Sequence, residues 1–275
     1  MTLDPHRLAA IRAAYAHAVA TAHPDPDPRV GAAFATVPRE AFLGPPPWWH
    51  GPGAHMTQTS DPAALYQDVL VALDRAKGIN NGQPSLHALC LSALRLTRRD
   101  HVLHIGTGTG YYTAILAELA GSVNGYEIEP SLARQAARNL ALWPNARIWP
   151  ESAAGRALPP ADAIYVSAGA SYPDPFWLEA LREEGRLLFP LTDAEGTGAV
   201  LLVQRQGAGF AARFVSACGF IHCTGPRDPD TAERLTAAFR KGGLAAVHSL
   251  TRAPPPDEAV WFAGEGWFLS TEEPA

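Results

Sequence analysis

One group of residues in this chain has the types and spacing for binding chemistry. It is Gly106-Thr107-Gly108-Thr109-Gly110, then Tyr111, with Glu127 standing 21 residues beyond Gly106. Glycines let a backbone turn sharply and let a ligand come close. The helix that must follow aims its free N–H groups at that ligand. An acid about 20 residues after the first glycine can accept ribose hydroxyls. A dinucleotide fingerprint places its third glycine where Tyr111 stands. Glycines at 106, 108 and 110 instead give the form used for S-adenosylmethionine, which has no pyrophosphate to cradle. Tyr111 therefore argues against a nicotinamide oxidoreductase.

The flanking elements must position these residues. A short apolar strand is predicted over 101–105, then a helix over 111–120 stopped by Gly121, and a second strand over 123–128 that delivers Glu127 and Ile128. Ser131 can cap a helix over 132–142, with Leu132, Ala136 and Leu140 on one face. Further strands are predicted over 163–166, 187–189 and 200–203, with a helix over 176–184 ended by Gly185. Strand–helix alternation at this spacing gives a doubly wound α/β domain. Its sheet is mostly parallel, twisted and Rossmann-like, and covered on both faces. This core spans 98–205.

Residues 1–97 read as an N-terminal extension. An alanine-rich helix leads into the Pro/Asp segment 23–28, which cannot be helical because each proline restricts the residue before it. A Pro/Gly/Trp-rich stretch over 43–53 reads as a linker or an ordered loop, with His50 and His55 beside Trp48 and Trp49 as a packed loop or a lid. Residues 206–275 complete the domain with strands over 211–215 and 219–222, a helix over 231–240 and a Trp-rich hairpin over 260–270.

Composition narrows the class. The 275 residues are 47% hydrophobic, enough to bury a sizeable core. A net charge of −5 and the absence of Lys/Arg runs exclude a nucleic-acid footprint, leaving Arg98-Arg99 as a solvated pair. Three cysteines, Cys90, Cys218 and Cys223, make no disulfide framework and fit a reducing compartment. No secretory leader and no membrane span of about 18 apolar residues is predicted, so the expected location is the cytoplasm. Oligomeric state is not readable. No metal is expected: Cys218, His222 and Cys223 lack four-ligand spacing and read as strand residues.

Several segments together resemble the protein-L-isoaspartate O-methyltransferases. They are Val37-Pro38-Arg39-Glu40-Ala41-Phe42, Gln83-Pro84-Ser85, the run from Val102 through Tyr111, Asp162-Ala163-Ile164-Tyr165-Val166, and Gly185-Arg186-Leu187-Leu188-Phe189-Pro190. The resemblance covers roughly residues 5–205. It implies a seven-stranded sheet with one reversed strand, an N-terminal helical part, and methylation of a carboxylate. Three departures stand out. His104 replaces the family's acid before the glycine turn. Ser152-Ala153 replaces an Asp-Gly pair that helps to hold adenine. The loop that normally reads Thr-Ile-Ser-Gln-Pro carries two extra residues here, as Gly78-Ile79-Asn80-Asn81-Gly82-Gln83-Pro84. The first two bear on cofactor affinity and the third on the methyl acceptor.

A carboxylate is already nucleophilic at pH 7, so transfer needs in-line orientation and removal of water rather than a strong base. Asn80, Asn81 and Ser85 are the candidates for that task, with Gln83 close to the cofactor. The alternative is a turn with self-satisfied Asn side chains. The expected cofactor ligands are Gln83, His104, Gly106, Thr107, Gly108, Thr109, Gly110, Tyr111, Glu127, Ile128, Ser152 and Ala153. His104 also reads as a core histidine, and Tyr66 and Asp68 as pocket or turn residues. The leading expectation is a methyltransferase acting on a carboxylate of a peptide or protein. The others are a small-molecule methyltransferase and a non-catalytic module binding S-adenosylmethionine or S-adenosylhomocysteine.

Overall fold

Aspartate followed by proline opens element after element in this chain. The computed structural model describes residues 4–53 and 55–274. In chain order the helices and strands are α1 (Pro5–Ala20), α2 (Pro28–Thr36), β1 (Trp48–Gly51), β2 (Thr57–Thr59), β3 (Leu70–Asp74), β4 (Ile79–Asn80), α3 (Pro84–Leu94), β5 (His101–Ile105), α4 (Tyr111–Leu119), β6 (Ser122–Tyr126), α5 (Pro130–Asn139), β7 (Ala146–Trp149), β8 (Ala161–Val166), α6 (Pro175–Ala180), β9 (Leu181–Thr192), β10 (Thr197–Gln206), β11 (Gly209–Gly219), α7 (Pro229–Lys241), β12 (Ser249–Thr251), β13 (Val260–Ala263) and β14 (Phe268–Ser270). Asp4, Asp27, Asp174 and Asp228 each accept a backbone N–H of the first helical turn, ahead of a proline at the helix start. The proline lacks the N–H that would be unsatisfied there, and the carboxylate caps one that remains.

The chain divides into two units. The first comprises 1–99 and 107–151. In it α1 packs on α2 and α3, and α2 packs on α4. Tyr15, Phe34, Phe42, Tyr111 and Tyr112 form an aromatic core with ring centroids 5.0–6.2 Å apart. A four-stranded sheet, β2-β1-β3-β4, runs antiparallel over a small core of Trp48, Leu65 and Val71. The 43–53 stretch is thus ordered, and His50 lies in β1 opposite Thr57 and Val71. Strands β6 and β7 pair in parallel.

The second unit comprises 100–106 and 152–275. Strands β5, β8 and β9 pair in parallel, and the buried apolar run of each suits a strand covered on both faces. From β9 onward pairing is antiparallel through β10, β11, β12, β14 and β13. Strand β10 runs antiparallel to β9, and β12, β14 and β13 extend the sheet beyond β11.

Four boundaries differ from the sequence reading. The helix after Asp174 ends at Ala180, not Glu184, because the chain turns into β9 with Glu184 in the left-handed region at φ 60°. Helix α5 starts at Pro130 with Glu129 at the cap, so Ser131 lies inside the first turn and does not cap it. Helix α4 ends at Leu119 with Ala120 extended (φ −108°, ψ 170°), not with a glycine stop. The strand expected over 219–222 is absent, since β11 runs to Gly219 and His222 makes an isolated bridge to Gly169.

Candidate functional site

Within the first unit the glycine turn and Glu127 meet. Gly108 and Gly110 take φ of 56° and 93°, and Gly106 just before them takes 78°, all in the left-handed region that favours glycine. The Gly110 amide closes the turn on the Thr107 carbonyl at 3.0 Å. Helix α4 then starts at Tyr111 with no side chain capping it. Glu127 follows β6 and is 6% exposed. Its Oε2 accepts the Gly108 N–H at 2.7 Å and its Oε1 accepts the Glu129 N–H at 2.9 Å. Burial pushes this carboxyl upward, while the Glu129 and Gly108 amides pull it back. Two oxygens offer about four acceptor positions, so the amides do not use up the capacity to accept from hydroxyl donors. Ile128 beside it is half-exposed, an apolar surface next to the acid. Thr107 Oγ1 is buried with no hydrogen-bond partner among the described residues. Thr109 is buried and its carbonyl accepts Asn139 Nδ2 at 2.9 Å. Tyr111 is placed in the aromatic core, against Phe34 and Phe42.

The β3–β4 hairpin lies over this turn. A Cβ on Gly108 would fall 2.9 Å from Leu73 Cδ1, and Lys77 Nζ forms an ion pair with Glu129. The hairpin leads into the polar loop. Asn80 Oδ1 accepts the Gly82 N–H at 2.8 Å, the self-bonded turn that an Asn readily makes. Asn81 is buried, and its Oδ1 accepts from Val71 N at 3.0 Å and Arg39 Nη2 at 3.1 Å. Gln83 and Ser85 converge on Asp68. Gln83 Nε2 donates to Oδ2 at 2.8 Å, Ser85 N to Oδ1 at 2.8 Å, and the Ser85 hydroxyl to Oδ2 at 2.7 Å. The structure therefore brings Gln83 and Ser85 together with Asp68 and turns Asn81 inward.

Three groups in this loop escaped the sequence reading. Arg39 is fully buried at the start of the Val-Pro-Arg-Glu motif's short 3-10 turn. The Val-Pro-Arg-Glu segment marked the residue, but nothing in it marks the burial or the partners of the side chain. Gly82 has φ 70°, and a Cβ there would lie 2.1 Å from His87 Nε2. The His87 ring stacks on Tyr112 at 3.6 Å and 7°. The space that a side chain at 82 would take is thus filled by imidazole. No sequence signal marks that contact.

The second unit holds the remaining candidates. His104 sits in β5, 1% exposed, with Nε2 3.0 Å from the Ser167 hydroxyl and its ring stacked on Tyr165. Burial lowers it to about 3, so it is neutral at pH 7. Gly106 follows it. Ser152 Oγ accepts the Ala154 N–H at 3.1 Å, and the buried Ala153 receives Trp177 Nε1 on its carbonyl at 2.9 Å. Cys218 and Cys223 are both pushed up to about 12 by burial, which keeps them as thiols. Among the described residues no three His, Cys, Asp or Glu side chains are gathered as metal ligands.

The family model for protein-L-isoaspartate(D-aspartate) O-methyltransferase matches residues 25–228. The chain belongs to this family. Curated relatives agree. A protein-L-isoaspartate O-methyltransferase of Opitutus terrae is 40% identical over 64% of this chain and 70% of its own length. One from Rhodopseudomonas palustris is 33% identical over 76% of this chain and 92% of its own. A solved protein-L-isoaspartate O-methyltransferase superposes with a TM-score of 0.63 at 23% identity, covering 86% of this chain and 69% of that one. A Plasmodium falciparum homologue, described as a putative member and solved with S-adenosyl-L-homocysteine, gives 0.59 at 19% identity over 77% and 97% of the two chains. These two show that the methyltransferase α/β fold is shared.

Proposed function

We propose that this family member transfers the methyl group of S-adenosylmethionine to the free carboxylate of an isoaspartyl residue in a protein or peptide. The family match across 25–228 carries the reading. The glycine turn joined to Glu127 supports it. When bound, S-adenosylmethionine supplies an activated methyl on a positively charged sulfur. The first unit fits such a group: Glu127 keeps acceptor positions for the ribose hydroxyls, Thr107 Oγ1 is an unused buried polar atom, and Ile128 offers an apolar face for a base. Gly108, Thr109, Gly110 and the Tyr111 amide line the approach at the start of α4. By motif position alone, Gly106, His104, Ser152 and Ala153 are the further cofactor candidates, His104 as a neutral ring rather than an acid.

Toward the acceptor, Asp68 holds the Ser85 hydroxyl and the Gln83 amide as one polar group, and Asn80 shapes the turn that carries them. A polar group held in place orients a substrate at little further entropic cost. No general base is required, since the attacking oxygen is already ionised. Asn81 acts from inside the fold. The test is formation of S-adenosylhomocysteine with an isoaspartyl peptide, against the same peptide with ordinary aspartate. Turnover with the first and none with the second is expected; equal turnover would remove isoaspartate as the acceptor. Among the described residues no helix is long and apolar enough to cross a membrane, and the cytoplasm is the proposed location.

A further inference from the structure

Arg39 is a fully buried cation whose hydrogen bonds run to three backbone carbonyls and an amide. Nη1 donates to the carbonyls of Leu65 at 2.6 Å and Gln67 at 3.1 Å. Nη2 donates to the Val69 carbonyl at 2.7 Å and to Asn81 Oδ1 at 3.1 Å. Its own backbone N–H donates to the Tyr66 hydroxyl at 3.2 Å. Burying a charge costs several kcal/mol even after relaxation, and apolar replacements of such groups are often neutral or stabilising. Stability is therefore a poor reason for this arginine. Geometry is a better one. The carbonyls are those of 65, 67 and 69, so one planar fork collects alternate carbonyls of the bent segment that links the 3-10 turn at Pro62–Leu65 to β3. A point-charge ammonium cannot reproduce that fork.

The segment so held carries Asp68, the acceptor of both Ser85 and Gln83. The fourth acceptor, Asn81, stands at the head of the same loop and is locked twice to Val71, by its own N–H on the Val71 carbonyl at 2.9 Å and by its Oδ1 on the Val71 N–H. One guanidinium thus ties together both sides of the Asp68–Gln83–Ser85 group. We propose that Arg39 is a positioning residue for the methyl acceptor, fixing segment 65–69 against loop 81–85 so that the Asp68–Gln83–Ser85 group keeps one orientation. This rests on the reading of loop 78–85 as the acceptor loop.

The test is Arg39→Lys in the full chain, read three ways. Hydrogen exchange in the free protein should quicken at 66–71 and 81–85, with the 107–127 amides unchanged. The dissociation constant for S-adenosylhomocysteine should stay within about threefold of wild type. The kcat/KM for an isoaspartyl peptide should fall at least about 20-fold, carried mainly by KM. Unchanged exchange at 81–85, or a kcat/KM loss matched by an equal loss of S-adenosylhomocysteine affinity, would overturn the proposal. Should Arg39→Lys not fold, Asn81→Leu cuts the guanidinium from the loop and leaves its three carbonyls. The same acceptor-only loss is then expected, and an unaltered KM overturns the proposal. Wild-type protein inactive on the peptide would sink the acceptor reading alone, because the exchange measurement still decides whether Arg39 orders the two segments.

Discussion

Glu127 is where residue-scale chemistry concentrates. Both its oxygens already hold backbone amides, yet an ionised carboxylate accepts about four hydrogen bonds. Glu127→Ala removes the proposed ribose acceptor and frees the Gly108 amide. Hydrogen bonds to a charged group contribute about 1.5–3 kcal/mol each. Calorimetric titration should show S-adenosylhomocysteine bound at least about 100-fold more weakly; affinity within threefold of wild type would take Glu127 out of the ribose role. Ser85→Ala removes one donor from Asp68 without touching the glycine turn. Its expected signature is an acceptor KM raised about tenfold, the scale of one hydrogen bond, with cofactor affinity unchanged; a change in cofactor affinity instead would place Ser85 elsewhere. His104 gives a pH prediction. Burial lowers it to about 3, so between there and its ordinary value of about 6.5 the unfolded chain binds a proton that the folded chain does not. Stability contributed by the neutral ring is full above about pH 6.5 and falls as the solution is acidified toward pH 3. Urea midpoints at pH 7 and pH 5 should fall more for wild type than for His104→Gln, and parallel falls would contradict the assignment.

At the scale of elements, the β3–β4 hairpin and the loop after it decide what the glycine turn and the acceptor see. Gly82 is the tightest point, with a left-handed φ and His87 in the space of its missing side chain. Gly82→Ala must strain the backbone and displace an imidazole stacked on Tyr112, a loss of about 1–3 kcal/mol. Thermal unfolding should show a drop of several degrees together with lower turnover; a stability equal to wild type would mean that His87 moves freely. The parallel core was legible because its signals are local: an apolar run, a glycine turn, a helix and an acid at fixed spacing. The Asp-Pro pairs ahead of α1, α2, α6 and α7 are equally local signals, whereas the end of α6 at Ala180 is set where the chain enters β9, which pairs with β8 and β10. The Arg39 hydrogen bonds and the His87–Tyr112 stack were not legible in the same way. Arg39 meets partners at 65–69 and His87 meets Tyr112, and chain proximity carries no trace of either. Asn81 reads as a loop amide, and only the fold turns it inward to Arg39.

For the whole molecule, the family match ends at 228, and α7 with β12, β13 and β14 follows. There Trp261 packs against Phe214 at 5.1 Å and Phe239 at 5.8 Å, and donates Nε1 to the Gly242 carbonyl at 2.9 Å. The sequence showed a Trp-rich hairpin, but its pairing through β12 onto β11 is a long-range register that no local pattern sets. The most direct measurement is mass-spectrometric detection of methyl ester and S-adenosylhomocysteine after mixing the full chain, S-adenosylmethionine and an isoaspartyl peptide, with the aspartyl peptide as control. The isoaspartyl peptide should gain one methyl group, with matching S-adenosylhomocysteine and neither product from the control. S-adenosylhomocysteine binding without any methylated isoaspartyl peptide would contradict it.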